Sequence, residues 1–399
     1  MREHRLEVAD VFRQYGEPFL KRWGHTVSPQ QRKALRDIGA CRTAALGGHL
    51  EQCDGCPHEV MAYNSCRNRS CPKCQSTARD RWLAERAKEL LPVPYCHVVF
   101  TVPESLAMLI LQNAQLVYGL LFRAVSQTLL EIAADPKHLG AQIGFLAVLH
   151  SWSQNLLHHP HIHCVVPAGG LAPDGSRWIP CRRKFFLPVK VLSRLFRGKF
   201  LALLRDAFAR GKLQFHGKLT PLRAPARFHA FLRPLQDTEW VVYAKPPFGG
   251  PEYVLKYLAR YTHRVAISNG RLLRLENGQV TFQWRDSKDN NRIKAMTLDA
   301  VEFIRRFLLH ILPTGFVKIR HFGFLSNRRR AAALASCREL LPQLVAATAP
   351  ILSERQQSAV ERRCPVCKTG KLHTRRWFSA AELLTRVDSA KPACPVDSS

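Results

Sequence analysis

The strongest constraint on how this chain can fold is the stretch "CDGCPHEVMAYNSCRNRSCPKC", which carries the knuckles Cys53-x2-Cys56 and Cys71-x2-Cys74. Four thiolates in two such pairs close a tetrahedral Zn2+ site, so the segment reads as a zinc ribbon. The fourteen residues between the pairs are slightly fewer than the commonest ribbon spacing, but workable. Cys66 is a further candidate ligand, and Cys41, His49 and His58 are spare donors. A set of buried free cysteines is the bland alternative, and the doubled spacing is too specific for it. The chain has thirteen cysteines, an odd number, which argues against a fully paired disulfide framework. Arg67, Arg69 and Lys73 ride on the same loop, as they would in a nucleic-acid-binding ribbon. A structural clip with incidental charges is the competing reading. A lone knuckle, Cys364 and Cys367 in "CPVC", lies near the end; Cys394 and His373 are irregularly spaced from it, so it reads as degenerate or unpaired.

The charge balance points to a polyanion. Sixty Lys and Arg face thirty Asp and Glu, a formal +30 over 399 residues. A surface so basic binds phosphate chains because each contact also releases condensed counterions. RNA, DNA and anionic lipid are all open on charge alone. The membrane reading is weak: the first residues lack an apolar signal-type core, and the apolar stretch 106–122 is interrupted by Gln112, Asn113 and Gln115. A cytoplasmic protein is expected, with no membrane partner.

Along the chain, two helices fill the first 40 residues or so. The second opens at "SPQQRKAL", where Ser28 caps, Pro29 takes the first turn and Gln31 completes a capping box. "CHVVFTV", "GFLAVLHSW" and "HIHCVV" read as strands, with one long apolar helix between the first two. "RLLRLENGQVTFQWRD" is a hairpin turning at Asn277-Gly278, and "LDAVEFIRRFLLHIL" an amphipathic helix. Strands and helices mix without strict alternation from about 90 to 325, which implies α+β with an antiparallel sheet.

Chemistry concentrates in two places. In "HHPHIHCVV" the period of a strand puts His161 and His163 on one face, a ready metal clamp, with Ile162 and Cys164 on the other. His158 and His159 precede Pro160 and read as loop residues. In "YVLKYLARYTHR", Tyr253, Tyr257 and Tyr261 recur every four residues along one helical face, interleaved with Lys256, Arg260 and Arg264. The bland reading of that helix is half-buried tyrosines against a sheet. Together with a two-histidine strand and a polyanion-binding surface, the tyrosines instead supply a nucleophile for phosphodiester cleavage. A histidine-triad nucleotide hydrolase or transferase also fits "HPHIHCVV", but explains neither the charge nor the cysteines. A non-enzymatic, zinc-dependent DNA-binding protein explains those two and leaves the histidines and tyrosines as coincidence.

The ordered set of cysteine cluster, "VVFTVP", "LLHHPHIHCVVPAGG" and "YLARYTHRVAISNGR" resembles rolling-circle transposases of the HUH type, nearest the branch of insertion sequence ninety-one. The resemblance runs from about residue 10 to about 335. It implies an HUH endonuclease core, a central antiparallel sheet flanked by helices, preceded by a helical, zinc-ribbon N-terminal domain. The domains would be 1–88 (helical and zinc-binding), 90–335 (HUH nuclease) and 336–399 (basic, helical and polar tail). It also implies cleavage and rejoining of single-stranded DNA at transposon ends and targets through a 5′-phosphotyrosine. The metal pair falls on His161 and His163, with Mg2+ or Mn2+ bound and Zn2+ at the cysteine cluster. The paired tyrosines fall on Tyr257 and Tyr261, and Tyr253 with Tyr257 is the alternative frame. Gln154, His159, His263 and Asp286 are candidates for a third metal ligand. Lys318, Arg320, Arg328, Arg329 and Arg330, with 182–184, would track the DNA backbone, and Phe322 and Phe324 could stack on unpaired bases.

Overall fold

The computed structural model describes residues 5–182, 186–248, 254, 266–286, 289–341 and 363–389. In chain order, helices α1 (Val8–Trp23) and α2 (Pro29–Ala40) precede strands β1 (Gly48–Cys53) and β2 (Glu59–Tyr63) and helix α3 (Pro72–Ala87). Next come β3 (Tyr95–Thr101), α4 (Ala107–Gln112), α5 (Ala114–Ala134), β4 (Gly144–Trp152) and β5 (His158–Pro167). The short β6 (Gly169–Leu171) and β7 (Trp178–Pro180) lead to α6 (Val189–Ala209), α7 (Pro225–Asp237) and β8 (Val242–Phe248). The remainder comprises β9 (Leu272–Glu276), β10 (Gln279–Asp286), β11 (Arg292–Asp299), α8 (Ala300–Leu308), β12 (Ile319–Gly323), α9 (Arg330–Glu339), β13 (Leu372–Phe378) and α10 (Ala380–Ser389).

These elements form two units that interleave along the sequence. The first collects 1–78, 267–311 and 352–399; the second collects 79–266 and 312–351. The reason is pairing: β1 is the middle strand of the sheet β13-β1-β2, so the far end of the chain supplies one of its two neighbours.

In the first unit, Ser28 caps α2 as expected. Its hydroxyl accepts from Gln31 N at 3.3 Å while Gln31 Oε1 accepts from Ser28 N at 2.9 Å. Ser28→Ala is expected to cost about 1 kcal/mol, read as a lower urea midpoint with unchanged slope. Residues Asn277 and Gly278 turn the β9–β10 hairpin with φ of 50° and 76°, the left-handed pair that a two-residue turn needs. The strand β11 extends this hairpin to a three-stranded meander. Asp299 caps α8, whose Phe307 meets Phe12 of α1 edge-on at 5.1 Å.

The second unit is α+β, with a central antiparallel sheet in the order β12-β4-β5-β3-β8. Strand alternation divides its faces. Val98, Phe100, Phe145, Ala147, Leu149, Ile162 and Cys164 pack into the main core under α4 to α7. On the opposite face Tyr95, Leu146, Val148 and Val165 form a smaller cluster with Leu334 and Cys337 of α9. The expected single long apolar helix is broken in two at Asn113, whose amide bonds Gln214 N and O at 2.7 and 2.9 Å. Helix α5 is long and apolar enough to cross a membrane by length and composition. Within the unit it is a core helix, burying Val117, Leu121, Phe122, Val125 and Leu129.

Candidate metal centres

Strand β5 carries His161 and His163 on the face turned away from α4–α7, because Ile162 and Cys164 between and beside them are buried in the main core. Antiparallel register then sets β4 alongside, with His150 directly opposite His161 and Val148 opposite His163. The ligand nitrogens of His150, His161 and His163 lie within 4.8 Å of one another, a spacing one cation can bridge. His150 and His163 are buried and His161 half-buried.

Two of these rings are held by the nitrogen that would face away from a cation. His161 Nδ1–H donates to the His159 carbonyl at 2.7 Å, which leaves Nε2 with its lone pair. His163 Nδ1 and His97 Nε2 share a hydrogen bond at 2.9 Å, the two rings stacked 4° from parallel. For His163 to offer Nε2 to a cation, its Nδ1–H is the donor. Metal-binding histidines are oriented in this manner by carbonyls and other acceptors. Trp152 stacks on His150 with centroids 4.6 Å apart.

Burial keeps His161 and its neighbour His97 neutral. It pushes His161 down to about 4, although the His159 carbonyl opposes the shift. Burial pushes His97 down to about 3, helped by the charges of Lys245 and His161. Neutral imidazole is the ligating form, so His161 is prepared for a metal at neutral pH. These histidines bind protons more readily unfolded than folded. Their contribution to stability is therefore present above about pH 6.5 and lost as pH falls through about 4. Without metal, the denaturation midpoint is expected to fall over that window, and less so in His97→Phe.

The cysteines are divided differently from the expectation. Cys71 and Cys74 do not join Cys53 and Cys56. Among the described residues, Cys41, Cys66, Cys71 and Cys74 form one set and Cys53, Cys56, Cys364 and Cys367 another, each with sulfurs within 4.8 Å. In the first, Cys74 Sγ lies 3.6 Å from both Cys41 Sγ and Cys66 Sγ. A tetrahedron with about 2.3 Å metal–sulfur arms has edges of about 3.8 Å, so the set fits zinc. Hydrogen bonds from Cys66 and Cys71 hold the Cys41 thiol far below its ordinary value, and the contact with Cys41 pushes Cys71 up to about 12. Thiols this close need a cation before several can ionise together. Cys66 and Cys41 both belong to this set.

Other expectations fall elsewhere. His158 is not a loop residue: it is buried in β5 and bonds Tyr118 OH at 2.8 Å. Asp286, a candidate third ligand, belongs to the first unit and pairs with Lys294 at 2.9 Å. Gln154 sits in the turn before β5, and His159 is outside the bridging set. Phe324 is buried in the smaller core and Phe322 stacks on Phe145 at 5.2 Å, so neither stands free for a base. Arg320 lies over the Phe122 ring at 4.2 Å, Arg330 pairs with Glu89 at 3.3 Å, and Lys73 pairs with Glu7 at 2.5 Å. Arg67, Arg69, Arg182, Arg328 and Arg329 are exposed, and Lys318 is half-buried. Tyr253, Tyr257 and Tyr261, with Lys256, Arg260, His263, Arg264 and Lys184, lie outside the described residues.

Comparison with known proteins places the chain. A family model described as "Transposase zinc-binding domain" matches residues 11–102, and one described as "Putative transposase" matches 144–332. The protein called "Putative transposase y4qJ" of Sinorhizobium fredii (strain NBRC 101917 / NGR234) is 56% identical over 377 residues, 92% of this chain and 94% of that one. The chain belongs to the IS91-like transposase family. A second relative of this IS91-like transposase, "Transposase for insertion sequence element IS801" of Pseudomonas savastanoi pv. phaseolicola, is 28% identical over 77% of this chain and 74% of its own. Of solved structures, "Conjugative Relaxase TrwC in complex with mutant OriT Dna" matches 61% of the transposase and 72% of the relaxase chain. That match, at 14% identity and a TM-score of 0.22, is too slight to carry an argument. The transposase's zinc-binding domain contains the set Cys41, Cys66, Cys71 and Cys74 whole, and the stretch 144–332 contains all three bridging histidines.

Proposed function

We propose that this transposase cleaves and rejoins single-stranded DNA as a rolling-circle HUH enzyme, through a 5′-phosphotyrosine intermediate. The observation that carries the reading is the set of three imidazoles drawn from adjacent strands in a transposase. His150, His161 and His163 would hold a divalent cation, and an all-imidazole set suits Mn2+ better than Mg2+. Bound there, the cation supplies Lewis-acid polarisation of a phosphate oxygen. Because the set spans two strands, it supports a cation clamp over a nucleophilic histidine of the histidine-triad kind.

The chain's own part is the nucleophile and the DNA path. Tyr257 and Tyr261, or Tyr253 with Tyr257, supply the phenol oxygen. That oxygen bonds phosphorus as the phosphorus–O3′ bond breaks; the phenol proton is given up and the 3′ oxygen leaves as a hydroxyl. Attack by a 3′-hydroxyl on the phosphotyrosine reverses the step, so the bond is conserved for strand transfer. Exposed Arg67, Arg69, Arg328 and Arg329 neutralise the phosphate backbone. DNA as partner places the enzyme at the bacterial nucleoid.

The test incubates the full chain and Mn2+ or Mg2+ with a single-stranded oligonucleotide from the element's end. A denaturant-stable protein–DNA adduct is expected, mapping to a peptide containing one of the three tyrosines. An adduct that persists after replacing Tyr253, Tyr257 and Tyr261 together by Phe would refute the assignment.

A further inference from the structure

Cys53 and Cys56 sit at the end of β1 and in the turn after it; the cysteines they meet come from the far end of the chain. Cys53 Sγ lies 3.7 Å from Cys367 Sγ, and Cys56 Sγ lies 3.6 Å from Cys364 Sγ. These are close to the edges, about 3.8 Å, of a thiolate tetrahedron around zinc. They are far from the roughly 2.05 Å of a disulfide. We propose that Cys53, Cys56, Cys364 and Cys367 form a second structural zinc site, which fastens the C-terminal segment to the N-terminal hairpin. Cys364 and Cys367 fall outside the zinc-binding match at 11–102, so the site is distinct from the Cys41, Cys66, Cys71 and Cys74 set.

The surroundings are shaped for such a site. Each half is a knuckle of the form Cys-x2-Cys, and in each a backbone N–H points at a sulfur: Gly55 N to Cys53 Sγ and Gly370 N to Cys367 Sγ, both at 3.3 Å. Amides donating to thiolates favour the ionised, metal-binding form. The two backbones press together where Gly370 meets the first knuckle. A Cβ there would stand 2.4 Å from Cys53 Sγ and 2.8 Å from Asp54 Oδ1. Asp54 ties the halves further, since Lys371 N donates to Asp54 Oδ1 at 2.7 Å and Asp54 N donates to the Lys371 carbonyl at 3.1 Å. Beyond this point β13 runs antiparallel along β1, from Cys53 opposite Leu372 to Gly48 opposite Phe378. A lone hairpin of β1 and β2 thereby becomes a three-stranded sheet, and the metal locks its register at the open end.

This inference does not rest on the cleavage chemistry, and its readout is metal content. The full-length chain, purified under reducing conditions with zinc and washed with a weak chelator that clears the histidine set, is denatured and the released zinc titrated with a chromogenic chelator. Two zinc ions per chain are expected from the wild type, and one each from Cys364→Ser/Cys367→Ser and from Cys71→Ser/Cys74→Ser. Because either double variant can lose solubility, the wild type is also refilled with Co2+, whose thiolate charge-transfer absorbance should saturate at two equivalents. Trypsin should release the segment after Arg363 faster once metal is stripped with a chelator. One zinc and one Co2+ equivalent in the wild type would overturn the proposal. So would two zinc ions retained in Cys364→Ser/Cys367→Ser, or a Cys53–Cys367 or Cys56–Cys364 disulfide in a non-reducing peptide map.

Discussion

His161→Ala is expected to slow formation of the covalent DNA adduct by about 10³-fold or more. A cation acting as a Lewis acid at a transferring phosphate contributes several kcal/mol, and about 1.4 kcal/mol is tenfold in rate. His161 is one corner of the cluster: its ring lies 5.4 Å from His150 and 4.9 Å from His163, and its Nδ1 is already committed to the His159 carbonyl. Removing it leaves two imidazoles, which hold Mn2+ more weakly. The loss should therefore be partly recovered at high Mn2+, whereas a merely structural role would show no such recovery. Isothermal titration of Mn2+ beside the adduct assay separates the two. Unchanged Mn2+ affinity in His161→Ala would sink the metal-centre assignment.

Phe100→Ala should be the most damaging core substitution near the site, at about 3–5 kcal/mol of stability. Phe100 lies on β3 opposite Ile162 of β5, is fully buried, and meets Phe196 edge-on at 5.1 Å. Phe196 in turn packs on Trp240 at 5.3 Å, so the vacated ring leaves a void that this interlocked group cannot refill cheaply. The void would open directly behind the strand that carries His161 and His163. Guanidinium denaturation should show the lower midpoint. A loss below about 1 kcal/mol would mean the ring is not as tightly held as its neighbours imply.

Much of this arrangement is legible in the sequence, for reasons that differ by residue. His161 and His163 are read at once because strand periodicity alone aligns them. Their partner His150 is hidden: in "AVLHSW" a single histidine ends an apolar run, and only the register of β4 against β5 brings it opposite His161. His97 is hidden in the same way, on β3. The hairpin at Asn277-Gly278 and the Ser28 cap are local chemistry and stand where expected. The cysteines fail at the step that sequence cannot make. Spacing marks Cys53, Cys56, Cys71 and Cys74 as candidate metal ligands, but not which knuckle lies beside which, and the partner of one lies more than three hundred residues away. Phe324 and Arg320 misled for a related reason: a basic, aromatic strand looks like a nucleic-acid surface whether its rings face a base or a core.

The span between Cys56 and Cys364 has a consequence for biosynthesis. With 308 positions separating them, a ribosome adding about 5–20 residues each second needs roughly 15–60 s to deliver the second pair. Throughout that interval the early thiols emerge without their mates and are open to oxidation or capture by the wrong ion. A chain cut short by frameshift or nonsense mutation would lack β13 and leave that edge of β1 without its partner strand.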